Sequence, residues 1–180
     1  MPAPEPITLV PYDPAWPRLA AEAARLLRAS RGAIDQIEHF GSTAIPGLAA
    51  KPTIDIIASV PDLAALDPFA AWLQADGYDD MSANFSFRRF FRKPPSSGPS
   101  FHLHLVTTDA WPTKSERLFR DWLLAHPAVA ASYAALKAQL AIRFADDRDA
   151  YTEAKSDFIQ SAVNDARHSR VLPPLTNWEE

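Results

Sequence analysis

Residues Thr53 to Val60, TIDIIASV, form a nearly continuous apolar run rich in isoleucine. A run of this length, β-branched and without polar alternation, is how a strand covered on both faces reads. Covering both faces needs packed layers, so the segment points to a mixed sheet with helices on it, an α/β (α+β) architecture. One charge stands inside the run, Asp55. A carboxylate there is costly unless it is paired or bound to a cation.

The rest of the chain supplies the layers. Pro2, Pro4, Pro6 and Pro11 make an extended start, with Ile7 to Val10 a short strand. Asp13-Pro14 reads as an N-cap followed by proline at the first helical position. Leu19, Ala23, Leu26 and Leu27 then predict a helix from Pro14 to Ser30, ended by Gly32. Ile34 to Phe40 is the next strand; it stops at Gly41-Ser42, and Pro46-Gly47 makes a turn. Pro61-Asp62 opens a helix whose inward residues are Leu63, Leu66, Phe69, Ala70 and Leu73, closed by Gly77. Phe85 to Arg92 and Phe101 to Thr107 read as an antiparallel pair of strands around the loop Lys93 to Pro99. Three helices follow, Thr113 to Ala125, Pro127 to Ala145 and Asp149 to Arg167; the second carries the stripe Val129, Tyr133, Leu136, Leu140 and Phe144. The expectation is one domain over 1–180, with a core at about 7–167 and a C-terminal tail at 168–180 that is surface-bound or loose.

Composition narrows the function. With 18 basic against 22 acidic residues the net charge is −4, which argues against bulk nucleic acid as a partner but leaves room for a local basic pocket. There is no cysteine, hence no disulfide, thiolate nucleophile or cysteine-held metal. No apolar run is long enough for a membrane span, and the start lacks the pattern of a signal peptide, so a cytoplasmic location is expected.

The chemistry is expected around Gly41, Ser42 and Asp55. A strand ending in Gly-Ser and entering about one helical turn offers N–H groups and a hydroxyl that suit phosphate. A carboxylate on the next strand stands where a metal-bound nucleotide would want it. The bland alternative is an ordinary turn and a buried Asp55 paired with Lys51.

The stretch Ile37 to Ile56, IEHFGSTAIPGLAAKPTIDI, resembles the signature of the GrpB family. So do Leu9 to Pro17, His102 to Val106, Phe119 to Leu123, and Tyr151 with Lys155; the resemblance covers about Ile7 to Asn164. It implies a nucleotidyltransferase-like fold built on the Gly-Ser turn and an acidic strand. It also implies a site role for Tyr151 and Lys155, where spacing alone favours a surface pair on one helix face.

One departure bears on mechanism. Nucleotidyltransferases usually carry a second carboxylate two residues along the acidic strand, where side chains share a face and can hold two metal ions. Here that position is Ile57, and the strand where a third carboxylate is expected carries His102 and His104. Two-magnesium transfer is thereby compromised, while histidine favours zinc, manganese or iron. His102 and His104 point to one face and could complete a two-histidine, one-carboxylate metal site with Asp55, with His104 as a further catalytic candidate; the alternative is hydrogen bonding in the core. His39 could approach this site, whereas His126 and His168 read as bland.

Arg88, Arg89 and Arg92 interleave with Phe85, Phe87, Phe90 and Phe91. Alternation puts Arg88 and Arg92 on one face and Arg89 on the other. Such a strand either grips phosphate and stacks a base or simply has a solvated charged face and a packed aromatic one. The ligand set expected is Gly41, Ser42, Lys51, Arg88, Arg89, Arg92, Tyr151 and Lys155, with a divalent metal (magnesium, manganese or zinc) at Asp55, His102 and His104. The leading reading is a nucleotidyltransferase-like protein that binds a nucleotide or other phosphorylated small molecule. A non-catalytic phosphate-binding module and a metal-dependent hydrolase are the alternatives.

Overall fold

The structure is a computed structural model that describes residues 6–29, 34–85 and 87–179. The readings placed on Pro2, Pro4, Ser30, Gly32 and Ser86 lie outside the described residues. The chain forms two compact units, a sheet unit (Asp13–Ala44 and Pro52–Pro112) and a helical unit (Met1–Tyr12, Ile45–Lys51 and Thr113–Glu180).

In the sheet unit, Asp13 Oδ1 accepts from Ala15 N, and α1 (Trp16–Ala29) follows with Trp16, Ala20 and Leu27 buried. The strands are β1 (Gln36–Phe40), β2 (Thr53–Val60), β3 (Asp79–Asp80), β4 (Arg89–Lys93) and β5 (Ser100–Thr107), and the helix α2 is Asp67–Ala75. They make one mixed sheet of order β1-β2-β5-β4-β3, in which β2 and β5 run parallel and the other pairs antiparallel. The apolar run of β2 lies near the middle, and its residues from Ile56 to Val60 are buried whichever face they point to.

In the sheet unit, three elements differ most from the sequence expectation. The helix after Pro61-Asp62 starts only at Asp67-Pro68, because Asp62 Oδ1 instead accepts from Ala64 N and closes a local turn. The strand predicted from Phe85 begins at Arg89. The Phe85 ring turns to Phe87, Phe90 and the Arg88 guanidinium, so the upstream aromatics pack among themselves and not in alternation. Two-residue β3, which no run of residues announces, pairs with β4.

The helical unit holds α3 (Ser115–Ala125), α4 (Pro127–Arg143), α5 (Arg148–Glu153) and α6 (Ser156–Ser169). The last two replace the single helix expected from Asp149 to Arg167. Asp147 Oδ1 caps α5 by accepting from Ala150 N, and Lys155 then becomes the residue before α6. Its core joins Ile45, Leu48, Leu123, Tyr133, Ile159 and Val163, with Leu175 and Trp178 packed on it. The tail is tied down: Leu175 N donates to Asn164 Oδ1 at 2.9 Å, and Gln160 Nε2 donates to Leu175 O at 2.9 Å. The expected first strand, Ile7 to Val10, is reduced to a single bridge between Val10 and Ala50.

Candidate functional site

Strand register assembles the centre of the sheet unit. Asp55 sits across from Phe40 on one side and His102 on the other, and His102 sits across from Arg92. Two residues along, Ile57 is flanked by Glu38 and His104, and His104 by Phe90. Paired positions in these rows share one face of the sheet. Asp55, His102, His104 and Arg92 therefore occupy the same face.

Their donor atoms converge. Asp55 Oδ1 is 3.2 Å from His102 Nδ1. One ligand atom from each of Asp55, His102 and His104 lies within 4.8 Å of the others. The imidazoles are held by aromatic neighbours: Phe40 meets His104 edge-on at 5.1 Å between centroids, and Phe90 meets His102 at 5.3 Å and His104 at 4.7 Å. Phe40, Ile57, Val106 and Trp111 form a buried apolar cluster in the same unit. A carboxylate and two imidazoles with such spacing can take a divalent cation of the zinc or manganese type.

The Gly41-Ser42 turn closes on this group. Gly41 has φ +73, and a Cβ built there would run into the Asp55 carboxylate. Only glycine allows both the left-handed backbone and the close approach. The turn is anchored by Thr43, whose Oγ1 donates to Thr53 O at 2.9 Å and lies 2.9 Å from His39 Nε2. Ser42–Ala44 is a single 3-10 turn closed by Ala44 N donating to Gly41 O. Three residues carry little of the aligned dipole a long helix would offer, so any phosphate would be held by local N–H groups and the hydroxyl.

The remaining expected residues divide. His39 is paired with Ile56, on the face opposite Asp55, which removes it from the group. Arg89 is likewise on that opposite face: its Nη2 donates to Asp80 Oδ2 at 2.7 Å and its Nε to Ser82 Oγ at 3.0 Å. Burial tends to raise the Asp80 carboxyl, but the Ser82 hydrogen bonds and Arg89 together hold it below the usual carboxylate range. Arg88 stacks over Phe85 at 4.1 Å. Arg92 is the arginine of the three that shares the Asp55–His102 row. His126 links α3 to α4 with its Nδ1 2.8 Å from Trp122 O.

Lys51, Tyr151 and Lys155 belong to the helical unit. Both lysines stand over the Tyr151 ring, Lys51 Nζ at 4.7 Å and Lys155 Nζ at 4.3 Å from its centroid. Burial, with Arg148 adding to it, lowers Lys51 to about 8, and burial pushes the Tyr151 hydroxyl up to about 12. Sequence reasoning missed Lys137. It lies on the α4 stripe between Tyr133 and Leu140, and a lysine on an apolar stripe was the available signal. Lys137 is 3% exposed, its Nζ donates to Ala49 O at 2.6 Å, and burial followed by repulsion from Lys155 brings it down to about 7.

Comparison with known proteins bears on the family and the fold. Residues 6–165 match the family model described as GrpB protein. A UPF0157 protein of Pseudomonas aeruginosa is 36% identical over 96% of this chain and 74% of its own length. A dephospho-CoA kinase of Mycolicibacterium paratuberculosis is 31% identical over 89% of this chain, which spans 46% of that protein. The crystal structure of GrpB from Enterococcus faecalis superposes with a TM-score of 0.82 at 31% identity, covering 91% of this chain and 99% of that one. Among the described residues, no helix is long and apolar enough to cross a membrane.

Proposed function

The chain belongs to the GrpB family, and for this member we propose binding of a nucleotide or other phosphorylated small molecule, assisted by a divalent metal in the sheet unit. One observation carries the reading: Asp55, His102 and His104 bring a ligand atom each within 4.8 Å of one another. The Gly41 turn, pressed against the Asp55 carboxylate, supports it. Asp55, His102 and His104 would hold the metal, which would supply Lewis-acid polarisation of phosphate oxygens. Gly41 and Ser42 would meet a phosphate through the backbone and hydroxyl of the turn. Arg92 would add a cation from β4.

Two observations limit the chemistry. The residue two along from Asp55 is Ile57, fully buried, so β2 offers no second carboxylate for a two-magnesium site. The five glycines, Gly32, Gly41, Gly47, Gly77 and Gly98, nowhere make a Gly-x4-Gly-Lys-Ser/Thr loop. The kinase named among the relatives therefore lends this chain no P-loop chemistry. A second reading, a metal-dependent hydrolase, is favoured by the donor count: three protein ligands leave a fourth position for water.

Metal and nucleotide titrations followed by thermal unfolding test the proposal. Stabilisation by zinc or manganese, increased by a nucleotide, is the expected result. Phosphate release from a nucleoside triphosphate under the same conditions would select the hydrolase. The absence of a response to any divalent metal, with or without nucleotide, would refute the metal-assisted reading.

A further inference from the structure

The helical unit gathers cations where its apolar core would otherwise continue. Lys137 comes from α4, Lys155 from the junction of α5 and α6, Lys51 from the segment Ile45–Lys51, and Arg148 from the start of α5. Lys51 is far in sequence from the other three, which belong to successive helical elements, so their convergence is made by the fold and is not a charged run. Lys51 and Lys155 share the Tyr151 ring, and Lys137 Nζ stands 5.0 Å from the centroid of Tyr133. Tyr151 is buried with Ile7 and Leu140.

Drawing like charges together in a partly buried place is unfavourable, since each loses hydration and repels the others. The repulsion shows in the lysines themselves, Lys155 acting on Lys137 and Arg148 on Lys51 after the larger effect of burial. Tyr151 cannot neutralise them, because burial keeps its phenol protonated. Its ring attracts the ammonium groups through the π face and fixes where they stand. A multivalent anion would remove the repulsion. Lysines act as point charges toward phosphate, and several of them suit a charge spread over linked phosphates better than a planar carboxylate, which arginine forks match.

We propose that Lys51 and Lys155 over the Tyr151 ring, with Lys137 beside Tyr133 and the Ala49 carbonyl and with Arg148 nearby, form an oligophosphate-binding site in the helical unit. It takes pyrophosphate or the phosphate tail of a nucleotide. The proposal rests on the reading of the ligand as phosphorylated, but it does not require the metal. An anion held there favours the charged lysines, so binding takes up protons near neutral pH.

The test is calorimetric titration of the full chain with pyrophosphate in the presence of a chelator, in two buffers of different ionisation enthalpy. The expected result is binding with net proton uptake, weakened about tenfold or more in Lys137→Met and in Lys155→Gln. Lys155 is half-buried at a helix junction, so its variant carries the test if Lys137→Met does not fold. Displacement of pyrophosphate by ATP assigns the site to a nucleotide tail, and pyrophosphate binding that ATP does not displace assigns it to free oligophosphate. No binding by the folded wild type, or binding that neither substitution weakens, overturns the proposal. Metal loading is not read in this titration, so the metal reading and this one fail separately.

Discussion

The Asp55 carboxylate fills the space that a Cβ on Gly41 would need, where β2 passes the end of β1. Two demands meet at Gly41, a positive φ of +73 and a space already filled by the carboxylate. Gly41→Ala should therefore be destabilising. The left-handed backbone alone costs an alanine about 1–2 kcal/mol, and displacing Asp55 adds to that. For a chain of this size each kcal/mol lowers Tm by about 2–4 °C. A fall in Tm together with loss of metal-dependent stabilisation is the expected result. An unchanged Tm and metal response would show that the turn relaxes freely.

Asp55→Asn should separate a ligand from a structural ion pair. The Asp55 and His102 side chains are only 24% and 14% exposed, so a structural ion pair between them would cost the apo protein about 3–5 kcal/mol when one partner loses its charge. If Asp55 serves as a metal ligand instead, apo stability should change little. A metal at 100 times its dissociation constant stabilises the native state by about 2.7 kcal/mol, and the substitution should abolish that shift. His102→Ala and His104→Ala should each do the same for zinc and manganese. Stabilisation by magnesium with nucleotide that ignores both histidine changes would instead leave Asp55 as the metal residue without them.

The arginines of β4 should part ways. Arg89 is held by Asp80 and Ser82 on the face away from Asp55. Arg89→Ala should cost about 1–3 kcal/mol of stability by stranding the Asp80 carboxylate, with ligand affinity unchanged. Arg92, in the row of Asp55 and His102, should show the opposite pattern, with weakened phosphate or nucleotide affinity and a smaller change in Tm. Denaturant unfolding and ligand titration of the two variants decide this. Equal affinity losses in both would contradict the face assignment.

The sequence carried the central strand in full. Thr53 to Val60 is β2 to the residue, because a run buried on both faces leaves little doubt about either its period or its ends. The shared face of His102 and His104 was also legible, since it follows from a period of two. The antiparallel pairing of β4 with β5 was legible too, but the strands that flank β2 were not. That Asp55 pairs with His102 depends on a parallel crossover between β2 and β5, a tertiary choice that no local pattern encodes. The same holds for Lys137, whose stripe position hinted at burial while its neighbours Ala49 and Tyr133 became evident only in the fold. The break at Lys155 was missed because Asp147 and Lys155 divide a stretch whose helical pattern is continuous. Lys155 nonetheless reaches the Tyr151 ring across the break, as the expected i, i+4 spacing would have had it.

Lys137 should make the stability of the protein depend on pH above neutrality. Its ammonium is lowered in the folded state to about 7 from an ordinary value of 10.5. Between these values the unfolded chain binds more protons than the native one, so native stability rises with pH through that window. Below pH 7 both states are protonated and the full cost of burying the charge is present; above about 10.5 neither is, and the cost is gone. The slope is at most about 1.4 kcal/mol per pH unit for one proton. Lys137→Met removes the titration but strands the Ala49 carbonyl that the ammonium satisfied, which offsets part of its gain by about 1–3 kcal/mol at every pH. The informative quantity is therefore the difference in slope between wild type and variant, not the difference in stability at one pH. Urea unfolding at several pH values from about 6 to 9.5 should give a wild-type curve that climbs more steeply than that of Lys137→Met. Parallel curves would mean that Lys137 titrates as an exposed lysine does, and that its burial against Tyr133 carries no electrostatic cost.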